Sequence, residues 1–438
     1  MNFSYEEDSA QILSKLERFI PSAGTDPVIR DTVSGILSEI HAHGDSAVQE
    51  KTLLFDGVSL DPSEFIVSRE ELEASLQSLS PAETKALKEA ISNVRNFHQQ
   101  SHPQDWQQPN GHGGMVGEKY YPIQRVGIYI PGGNVPLVST VIMTATLAKV
   151  ARVPEIVVVT PPDRSGKVSP HLLAALQLLG VNEIYKIGGA QAIGALAYGT
   201  ERIRSVDKIF GPGNAYVNEA KRQVFGQVGV DLLPGPSEVM VIADKTAQPS
   251  LVAAALLAQA EHGSGKEKVY FLFEDKDLFN PVLEEMEKQM NERSHASSIR
   301  AVLESGFFAV HLPDKERLVE VANYIAPEHL ELQATEDACD FYLKKITTAG
   351  AFLVGHHTST SLGDFAAGPS HVLPTGRSAR FSSGLRLQDF LRRSSVIRYD
   401  KKSCQTAASV IEEFSKMERL DGHGNAHQLR LRTKELPS

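Results

Sequence analysis

The chain has 438 residues, of which 41% are hydrophobic and 22% are charged, as in an ordinary globular protein. This length exceeds what one hydrophobic core usually serves, so the sequence predicts two or more domains. The net charge of −10 is spread along the chain without a basic stripe, and we therefore expect no nucleic acid as a partner.

No apolar stretch of the sequence approaches the roughly 20 residues of a membrane-spanning helix, so we expect no membrane partner. The first residues, Met1-Asn-Phe-Ser-Tyr-Glu-Glu-Asp8, are acidic and lack the hydrophobic region of a signal peptide. The two cysteines, Cys339 and Cys404, form no CxxC pair, and neither lies in a loop context suited to a catalytic thiolate. Together these features predict a cytoplasmic location.

Residues 1–110 are predicted to be mostly helical and charged. Apolar residues recur at helical spacing from Val33 to Ile40 and predict a helix that ends near Gly44. A later helix is predicted to begin at Ser80-Pro-Ala-Glu83, which combines a capping box with proline at the first helical position.

From about residue 120 the pattern changes to strand, glycine turn and helix, repeated. The predicted strands are 126–130, 156–160, 184–187 and 208–210 in a first series, and 239–243, 269–273, 307–311 and 351–354 in a second. The predicted helices are 136–150, 172–179, 191–197, one from 215, 251–261 and 317–324. Such alternation predicts βαβ units and parallel sheets. We therefore predict an α/β fold with two Rossmann-like parallel-sheet domains and helical N-terminal and C-terminal appendages, the latter from about residue 378.

Three glycine turns lie at predicted strand-to-helix junctions: Pro131-Gly-Gly133, Gly188-Gly189 and Gly211-Pro-Gly213. Glycine lets the backbone approach a ligand, and the N-terminus of the following helix favours an anion. Neither GxGxxG nor a P-loop is present, and each turn alone is equally well explained as a tight connection that needs positive φ. Three turns at equivalent strand ends favour a crevice for a nucleotide-like ligand.

Carboxylates lie close to histidines at four separate places: Gln259-Ala-Glu-His262, Glu328-His329, Asp364 with His371, and Glu418 with His423. Such a pair can supply a metal ligand, a proton acceptor or both. Any one of them alone is more simply a surface ion pair or a capping group. Three of the four lie next to proline or glycine, where regular elements break and active-site loops occur. The set therefore predicts a site for metal and proton chemistry.

The chain resembles the histidinol dehydrogenase family, which catalyses the last steps of histidine biosynthesis. The matching segments run in family order from about residue 25 to the C-terminus and cover nearly the whole chain. They are Val126-Gly-Ile-Tyr-Ile-Pro-Gly-Gly133, Gly188-Gly-Ala-Gln-Ala192, Lys208-Ile-Phe-Gly-Pro-Gly-Asn214, Gly235-Pro-Ser-Glu-Val239, Ala258-Gln-Ala-Glu-His262, Ala326-Pro-Glu-His-Leu330, Gly363-Asp364, His371-Val-Leu-Pro-Thr375 and Glu418-Arg-Leu-Asp-Gly-His423.

The resemblance implies a zinc ion, a catalytic pair and two binding sites. Zinc would be held by Gln259, His262, Asp364 and His423. The catalytic pair would be Glu328 and His329. The substrate would contact Ser237, Gln259, His262, His329, Asp364, His371, Glu418 and His423. The cofactor NAD would contact Tyr129, Gln191 and Asn214, which lie at the glycine turns. The residues themselves favour one part of this set, because Gln259 and His262 are three apart on a helical run and would project from one face.

The resemblance also implies an intertwined homodimer with shared active sites, in which Glu418 and His423 complete the site of the other subunit. The expected domains are an N-terminal helical arm (1–24), an α/β domain with most metal and catalytic residues (25–120 and 238–377), a nucleotide-binding α/β domain (121–237) and an exchanged C-terminal helical domain (378–438).

The implied reaction is the four-electron oxidation of L-histidinol to L-histidine through L-histidinal, with two NAD and one zinc ion per subunit. One alternative is a dehydrogenase of the same family that acts on another primary alcohol, such as a sulfonated diol. A zinc hydrolase without a nucleotide is a second, although no HExxH motif is present. A non-enzymatic metal-binding role would leave Glu328-His329 and Gln191 unexplained. The sequence leaves open whether the native metal is Zn²⁺, Mn²⁺ or Co²⁺, and whether it is catalytic or only positions the substrate.

Overall fold

The computed structural model describes residues 2–5, 9–20, 26–132, 137–261 and 265–433, with side chains described from residue 11 onward. Within these residues the strands form a parallel six-stranded sheet, a parallel five-stranded sheet and an antiparallel three-stranded sheet. The strands are β1 (Asn2–Tyr5), β2 (Trp106–Pro109), β3 (Met115–Pro122), β4 (Arg125–Tyr129), β5 (Glu155–Val159), β6 (Glu183–Tyr185), β7 (Lys208–Phe210), β8 (Gly229–Val230), β9 (Glu238–Ala243), β10 (Lys268–Phe273), β11 (Phe307–His311), β12 (His329–Gln333), β13 (Ala351–Val354) and β14 (Leu391–Arg398).

The α-helices of the described residues cover both parallel sheets and form the C-terminal segment. They are α1 (Ser9–Phe19), α2 (Pro27–Asp56), α3 (Arg69–Gln77), α4 (Pro81–Gln100), α5 (Val138–Val150), α6 (Pro170–Leu178), α7 (Gly189–Tyr198), α8 (Ala215–Val224), α9 (Pro249–Ala260), α10 (Phe279–Asn291), α11 (Ala296–Gly306), α12 (Lys315–Ile325), α13 (Glu336–Lys345), α14 (Thr360–Phe365), α15 (Lys401–Glu418) and α16 (Asp421–Arg432). None of these helices is both long and apolar enough to cross a membrane.

The five-stranded sheet has the strand order β6-β5-β4-β7-β8. Every residue of β4 is buried, because α5 and α6 pack on one face while α2, α7 and α8 pack on the other. The chain runs from β4 outward to β5 and β6, and then returns to β7 and β8 on the opposite side. This reversal places a crevice at the carboxyl ends of β4 and β7, which is where doubly wound sheets bind their ligands.

The six-stranded sheet has the order β1-β11-β10-β9-β12-β13. Strand β9 is buried throughout, and its alternate side chains enter two different cores. Met240 packs with α1, α12 and α13, whereas Val241 packs with α9, α10 and α11. Strands covered on both faces are continuously apolar, as β9 is from Val239 to Ala243. The predicted α/β class with two parallel sheets is therefore confirmed.

Residues 231–237 link the end of β8 to the start of β9. The link carries the chain from the carboxyl edge of the five-stranded sheet to the amino edge of the six-stranded sheet. Its few residues keep these two edges within about 30 Å of each other. The backbone N–H of Gly235 donates to Oγ1 of Thr375, and the carbonyl of Ser237 accepts from the N–H of Lys268 at 3.1 Å. Hydrogen bonds to two other segments of the chain therefore hold the link in place.

The prediction that a helix ends near Gly44 is confirmed. Gly44 has φ 53° and ψ −130°, which is not helical, so α2 consists of two helices separated by a kink at this residue, and the second one runs to Asp56. A Cβ atom at Gly44 would lie 2.3 Å from Oε2 of Glu201, and the same oxygen accepts the N–H of Asp45 at 2.8 Å. The carboxylate of a distant segment therefore caps the second half of the helix and lets it resume.

Two segments that were predicted to be helical also contain strands. In the N-terminal segment β1 pairs in parallel with β11, and in the C-terminal segment β14 pairs antiparallel with β3. Strand β12 and helices α10 and α11 lie outside the predicted elements. The helical appendages thus each contribute a strand to a sheet, and the predicted domain boundaries stay predictions.

Candidate active site

The start of β12 holds the most buried acid–histidine pair among the described residues. Helix α12 ends at Ile325. Ala326, which caps it, adopts φ 50°, and Pro327 follows before the strand. His329 then pairs in register with Val239 of β9 and with Ala351 of β13. The pair therefore lies at the amino edge of the six-stranded sheet, on the side reached by the 231–237 link.

The backbone of Glu238 holds both side chains of this pair. Its N–H donates to Oε2 of Glu328 at 2.8 Å, and its carbonyl lies 3.2 Å from Nδ1 of His329. A carbonyl can only accept, so Nδ1 carries the hydrogen and Nε2 is left as the basic nitrogen. Glu328 and His329 are each 6% exposed, and Oε2 lies 3.7 Å from Nδ1. Although they are adjacent in sequence, the two side chains meet, because the chain is irregular before β12 begins.

Asp364 and His371 join the pair from a separate segment. Oδ1 of Asp364, on α14, lies 3.6 Å from Nε2 of His329 and 3.9 Å from Nδ1 of His371. Helix α14 is anchored to β12, since Oγ1 of Thr360 donates to Oε2 of Glu331 at 3.4 Å. The structure therefore brings together Glu328, His329, Asp364 and His371 of the predicted set.

Burial and neighbouring charge control the protons of this cluster. Burial raises the pKa of Glu328 to about 7, against the opposing effect of His329. Burial alone would lower the pKa of His329, but the carboxylates of Glu328 and Asp364 outweigh it and raise that pKa to about 9. An imidazole with this pKa is protonated at neutral pH, and a cation bound at Asp364 would lower the pKa and free Nε2 to accept a proton.

Gln259 lies in the last turn of α9, where it is only 2% exposed. Its Nε2 has no hydrogen-bond partner among the described residues. Rotation of the carboxamide group of Gln259 would exchange its nitrogen and oxygen and place the oxygen at that position. A buried orphan amide of this kind fits a residue that faces a cation.

The remaining predicted ligands lie elsewhere. His262 is outside the described residues. Glu418 ends α15 and His423 lies in α16, both exposed, and no hydrogen bond or ion pair in the described ranges joins either side chain to the cluster. Within the same ranges no three His, Cys, Asp or Glu residues are arranged to hold a metal. A single described chain therefore presents Gln259 and Asp364 but no full ligand set.

Ser237 is the last residue of the 231–237 link and is half-buried. It directly precedes Glu238, whose backbone holds Glu328 and His329. A group bound at Ser237 would consequently lie beside Glu328 and His329.

The three residues predicted to contact a nucleotide lie around the carboxyl edge of the five-stranded sheet. Tyr129 ends β4, and its hydroxyl accepts the N–H of Gly189 at 3.3 Å. Gln191 is fully buried in α7. Asn214 caps α8, and its Oδ1 accepts the N–H groups of Tyr216 at 3.0 Å and Val217 at 3.1 Å. The site therefore combines a helix N-terminus with the crevice where the strand order reverses.

Close backbone approach explains glycine at two of the turns. A Cβ atom at Gly211 would lie 2.1 Å from the carbonyl oxygen of Tyr129. Gly189 adopts φ 63°, and a Cβ there would lie 2.5 Å from Oε1 of Gln191. Any larger residue would therefore fill the crevice or displace the residues that line it.

Sequence reasoning missed a buried ion pair beneath the Gly211 turn. Nζ of Lys221 bonds to Oδ1 of Asp231 and also donates to the carbonyls of Gly211 at 2.9 Å and Leu232 at 2.7 Å. The other oxygen of Asp231 accepts the N–H of Gly211 at 2.8 Å. The sequence did contain a signal for this pair, because Lys221 lies on the same face of α8 as the buried Val217. A charged residue on a buried helix face is usually paired with an opposite charge.

Comparisons with known proteins agree with this geometry. Residues 22–431 match the family model described as Histidinol dehydrogenase. The histidinol dehydrogenase of Moorella thermoacetica is 42% identical over 398 residues, covering 91% of this chain and 93% of its own length. That of Rhizobium meliloti is 40% identical over 436 residues, covering 99% and 98%. The crystal structure of histidinol dehydrogenase from Elizabethkingia anophelis superposes with a TM-score of 0.93 at 35% identity, covering 99% and 98%. The chain belongs to the histidinol dehydrogenase family.

Proposed function

We propose that this chain oxidises L-histidinol to L-histidine through L-histidinal, with two NAD and one zinc ion per subunit. The observation that carries the proposal is the arrangement of Glu328, His329 and Asp364 at one sheet edge. A buried carboxylate held by a backbone N–H lies 3.7 Å from an imidazole whose other nitrogen faces a second carboxylate at 3.6 Å. Such a set suits two successive proton abstractions.

His329 is proposed as the base for the alcohol. The Glu238 carbonyl holds the hydrogen on Nδ1, which leaves Nε2 to take the proton of the substrate hydroxyl. NAD supplies the hydride acceptor in each oxidation. Because the imidazole is fixed on its Nδ1 side, it needs little rearrangement during the transfer.

Glu328 is proposed as the base for the second oxidation, in which water must add to the aldehyde. Its carboxylate would take a proton from the attacking water, so that the hydrated aldehyde can lose its hydride. Many aldehyde oxidations instead use a cysteine, but Cys339 is 2% exposed, and its Sγ faces the carbonyls of Leu332 and Ala334. The described contacts of that thiol therefore favour a structural role.

We assign the proposed zinc ion to Gln259, His262, Asp364 and His423. The orphan amide of Gln259 and the half-buried carboxylate of Asp364, which lies beside His329, support the assignment. Held by these residues, a zinc ion would supply Lewis-acid coordination of the substrate, and the four residues would thereby help to position the reacting carbon. Oxygen and nitrogen donors of this kind fit zinc, although a glutamine ligand is unusual.

His423 and Glu418 are proposed to act in the active site of a partner subunit. Both lie in the pair of helices α15 and α16, which pack against each other. Several apolar side chains of this pair are exposed, among them Phe414 at 55% and Met417 at 67%. Exposed apolar surface at this level favours an interface. The proposed exchanged domain would begin at about residue 378.

Growth of a histidine auxotroph that lacks histidinol dehydrogenase tests the substrate. We expect the chain to restore growth without histidine, and the Glu328→Gln variant to serve as the inactive control. Failure of an expressed, folded wild type to restore growth, together with turnover of a sulfonated diol, would replace histidinol by another primary alcohol.

A further inference from the structure

The end of α2 places an unpaired carboxylate beside the proposed nucleotide site. Asp56 is the last residue of that helix, and Gly57 turns the chain away in a left-handed conformation with φ 71°. Nε2 of Gln191 donates to Oδ2 of Asp56 at 3.4 Å. Across the described ranges no lysine or arginine forms an ion pair with this carboxylate. A half-buried acid without a cation is costly, so its position calls for a ligand.

Gln191 provides a second acceptor next to Asp56. The residue is fully buried, and its Oε1 has no hydrogen-bond partner among the described residues. The amide orientation follows from Asp56, because a carboxylate accepts from the Nε2 group and cannot donate to Oε1. Two acceptors, one charged and one neutral, thus lie side by side, and Oε1 of Gln191 has no donor among the described residues.

Tyr129 supplies a donor at the same place. Its hydroxyl oxygen accepts the Gly189 N–H at 3.3 Å and retains its own hydrogen. Burial raises the pKa of Tyr129 to about 12, and the negative charge of Asp56 adds to the rise. The hydroxyl therefore stays protonated at neutral pH, and the local set of two acceptors and one donor matches two adjacent hydroxyl groups.

The position in the sheet indicates which hydroxyl groups these are. Strand β6, which leads into Gly189, and strand β8, which leads to Ser237 and Glu238, lie at opposite edges of the five-stranded sheet. Four strand spacings of about 4.8 Å separate those edges. A ligand group bound at Asp56 therefore lies far from Glu328 and His329. The adenosine half of a dinucleotide would occupy such a position when its nicotinamide reaches these two residues.

We propose that Asp56, together with Gln191, binds the 2′- and 3′-hydroxyl groups of the adenosine ribose of NAD and excludes a 2′-phosphate. This inference rests on the proposed NAD-dependent function. In many dinucleotide-binding folds a carboxylate after the second strand performs this task. Here the carboxylate comes from the end of α2, outside the sheet that carries the glycine turns.

The test compares Asp56→Asn with Asp31→Asn, an equal charge change at an exposed position near the start of the same helix. We expect Asp56→Asn to raise the KM for NAD about tenfold. The kcat/KM for NAD divided by the kcat/KM for NADP should fall at least about tenfold as well. The turnover at saturating NAD and the KM for histidinol should stay near the wild-type values. Asp31→Asn should match the wild type throughout.

A second measurement needs no variant and no turnover. Calorimetry should show that the wild type binds an NAD analogue without the adenosine 2′-hydroxyl at least tenfold more weakly than NAD. Equal binding of the two nucleotides, or unchanged NAD and NADP kinetics in a folded Asp56→Asn protein, overturns the inference while the dehydrogenase proposal stands. If the wild type neither binds NAD nor reduces it with histidinol, both proposals fail.

Discussion

Nε2 of His329 lies 3.6 Å from Oδ1 of Asp364, although β12 and α14 hold the two residues on separate segments. The imidazole is fixed from its other side by the carbonyl of Glu238. Residues assigned to proton transfer and to metal binding are therefore in direct contact. A change at Asp364 should affect the metal first and the proton chemistry second.

Replacement of Asp364 by alanine should release the metal and abolish turnover, because it removes an anionic ligand while the fold persists. The metal content of the purified protein and its circular dichroism check this expectation. Asp340→Ala, at an exposed position of α13, is the matched control. His262→Ala is expected to behave like Asp364→Ala. Stoichiometric zinc in either variant would remove that residue from the ligand set.

Replacement of the two proposed bases should separate the two oxidations. His329→Asn should slow histidinol oxidation about 10²- to 10⁴-fold and preserve substrate binding, since it removes the base but keeps a polar side chain. Glu328→Gln should slow mainly the oxidation of histidinal. Assays with histidinol and histidinal as separate substrates measure the division. A His329→Asn variant as fast as the wild type with histidinol would exclude His329 as the base.

The Lys221–Asp231 pair should contribute to both stability and nucleotide binding. Lys221→Met leaves the buried Asp231 without its cation, which costs about 3–5 kcal/mol of unfolding free energy. It also loosens the Gly211 turn and should weaken NAD binding. Urea unfolding and calorimetry measure the two effects, with Lys245→Met at an exposed position as the control. A loss below about 1 kcal/mol would argue against the ion pair.

His98 should make stability depend on pH. It is 2% exposed in α4, neither ring nitrogen has a described partner, and burial lowers its pKa to about 4. The unfolded chain takes up this proton near pH 6.5, whereas the folded chain resists it. Stability is therefore lost as pH falls from about 6.5 to 4, by at most about 1.4 kcal/mol per pH unit. His98→Leu should unfold with a shallower slope in this window, with His43→Leu as the exposed control; identical slopes for His98→Leu and wild type would contradict the assignment.

Co-assembly of two inactive variants tests the shared active site. If His423 and Glu328 of one site come from different subunits, a mixed dimer of His423→Ala and Glu328→Gln has one site with both changes and one with neither. Activity should then return on subunit exchange, in about half of the mixed-dimer sites. Lasting inactivity after exchange has been demonstrated would show that one chain supplies the whole site.

Local sequence patterns predicted much of the fold but did not predict the contacts within the site. Strand β9 was predictable because its apolar run is continuous. Strand β12 was missed because Glu331 and Gln333 look solvent-exposed in sequence, whereas both are buried and Nε2 of Gln333 donates to Oε1 of Glu331 at 2.7 Å. The helix end near Gly44 was predictable from the glycine, but the carboxylate of Glu201 that caps the following helix is remote in sequence and was not.

For the candidate site, too, the sequence predicted the residues but not the contacts between them. Residue types and family motifs nominated Glu328, His329, Asp364 and His371, and the fold brings these four together. No local pattern could indicate that the Glu238 backbone orients two of them, or that Asp56 meets Gln191 from the end of α2. Those relationships arise only when elements from different parts of the chain pack together.

The yield of NADH per histidinol consumed tests the central claim most directly. The purified zinc-loaded protein would be given limiting L-histidinol and excess NAD, and the NADH and L-histidine formed would be counted. The proposed four-electron oxidation predicts two NADH and one histidine for each histidinol. One NADH with accumulation of the aldehyde, or no NADH at all from histidinol, would contradict it.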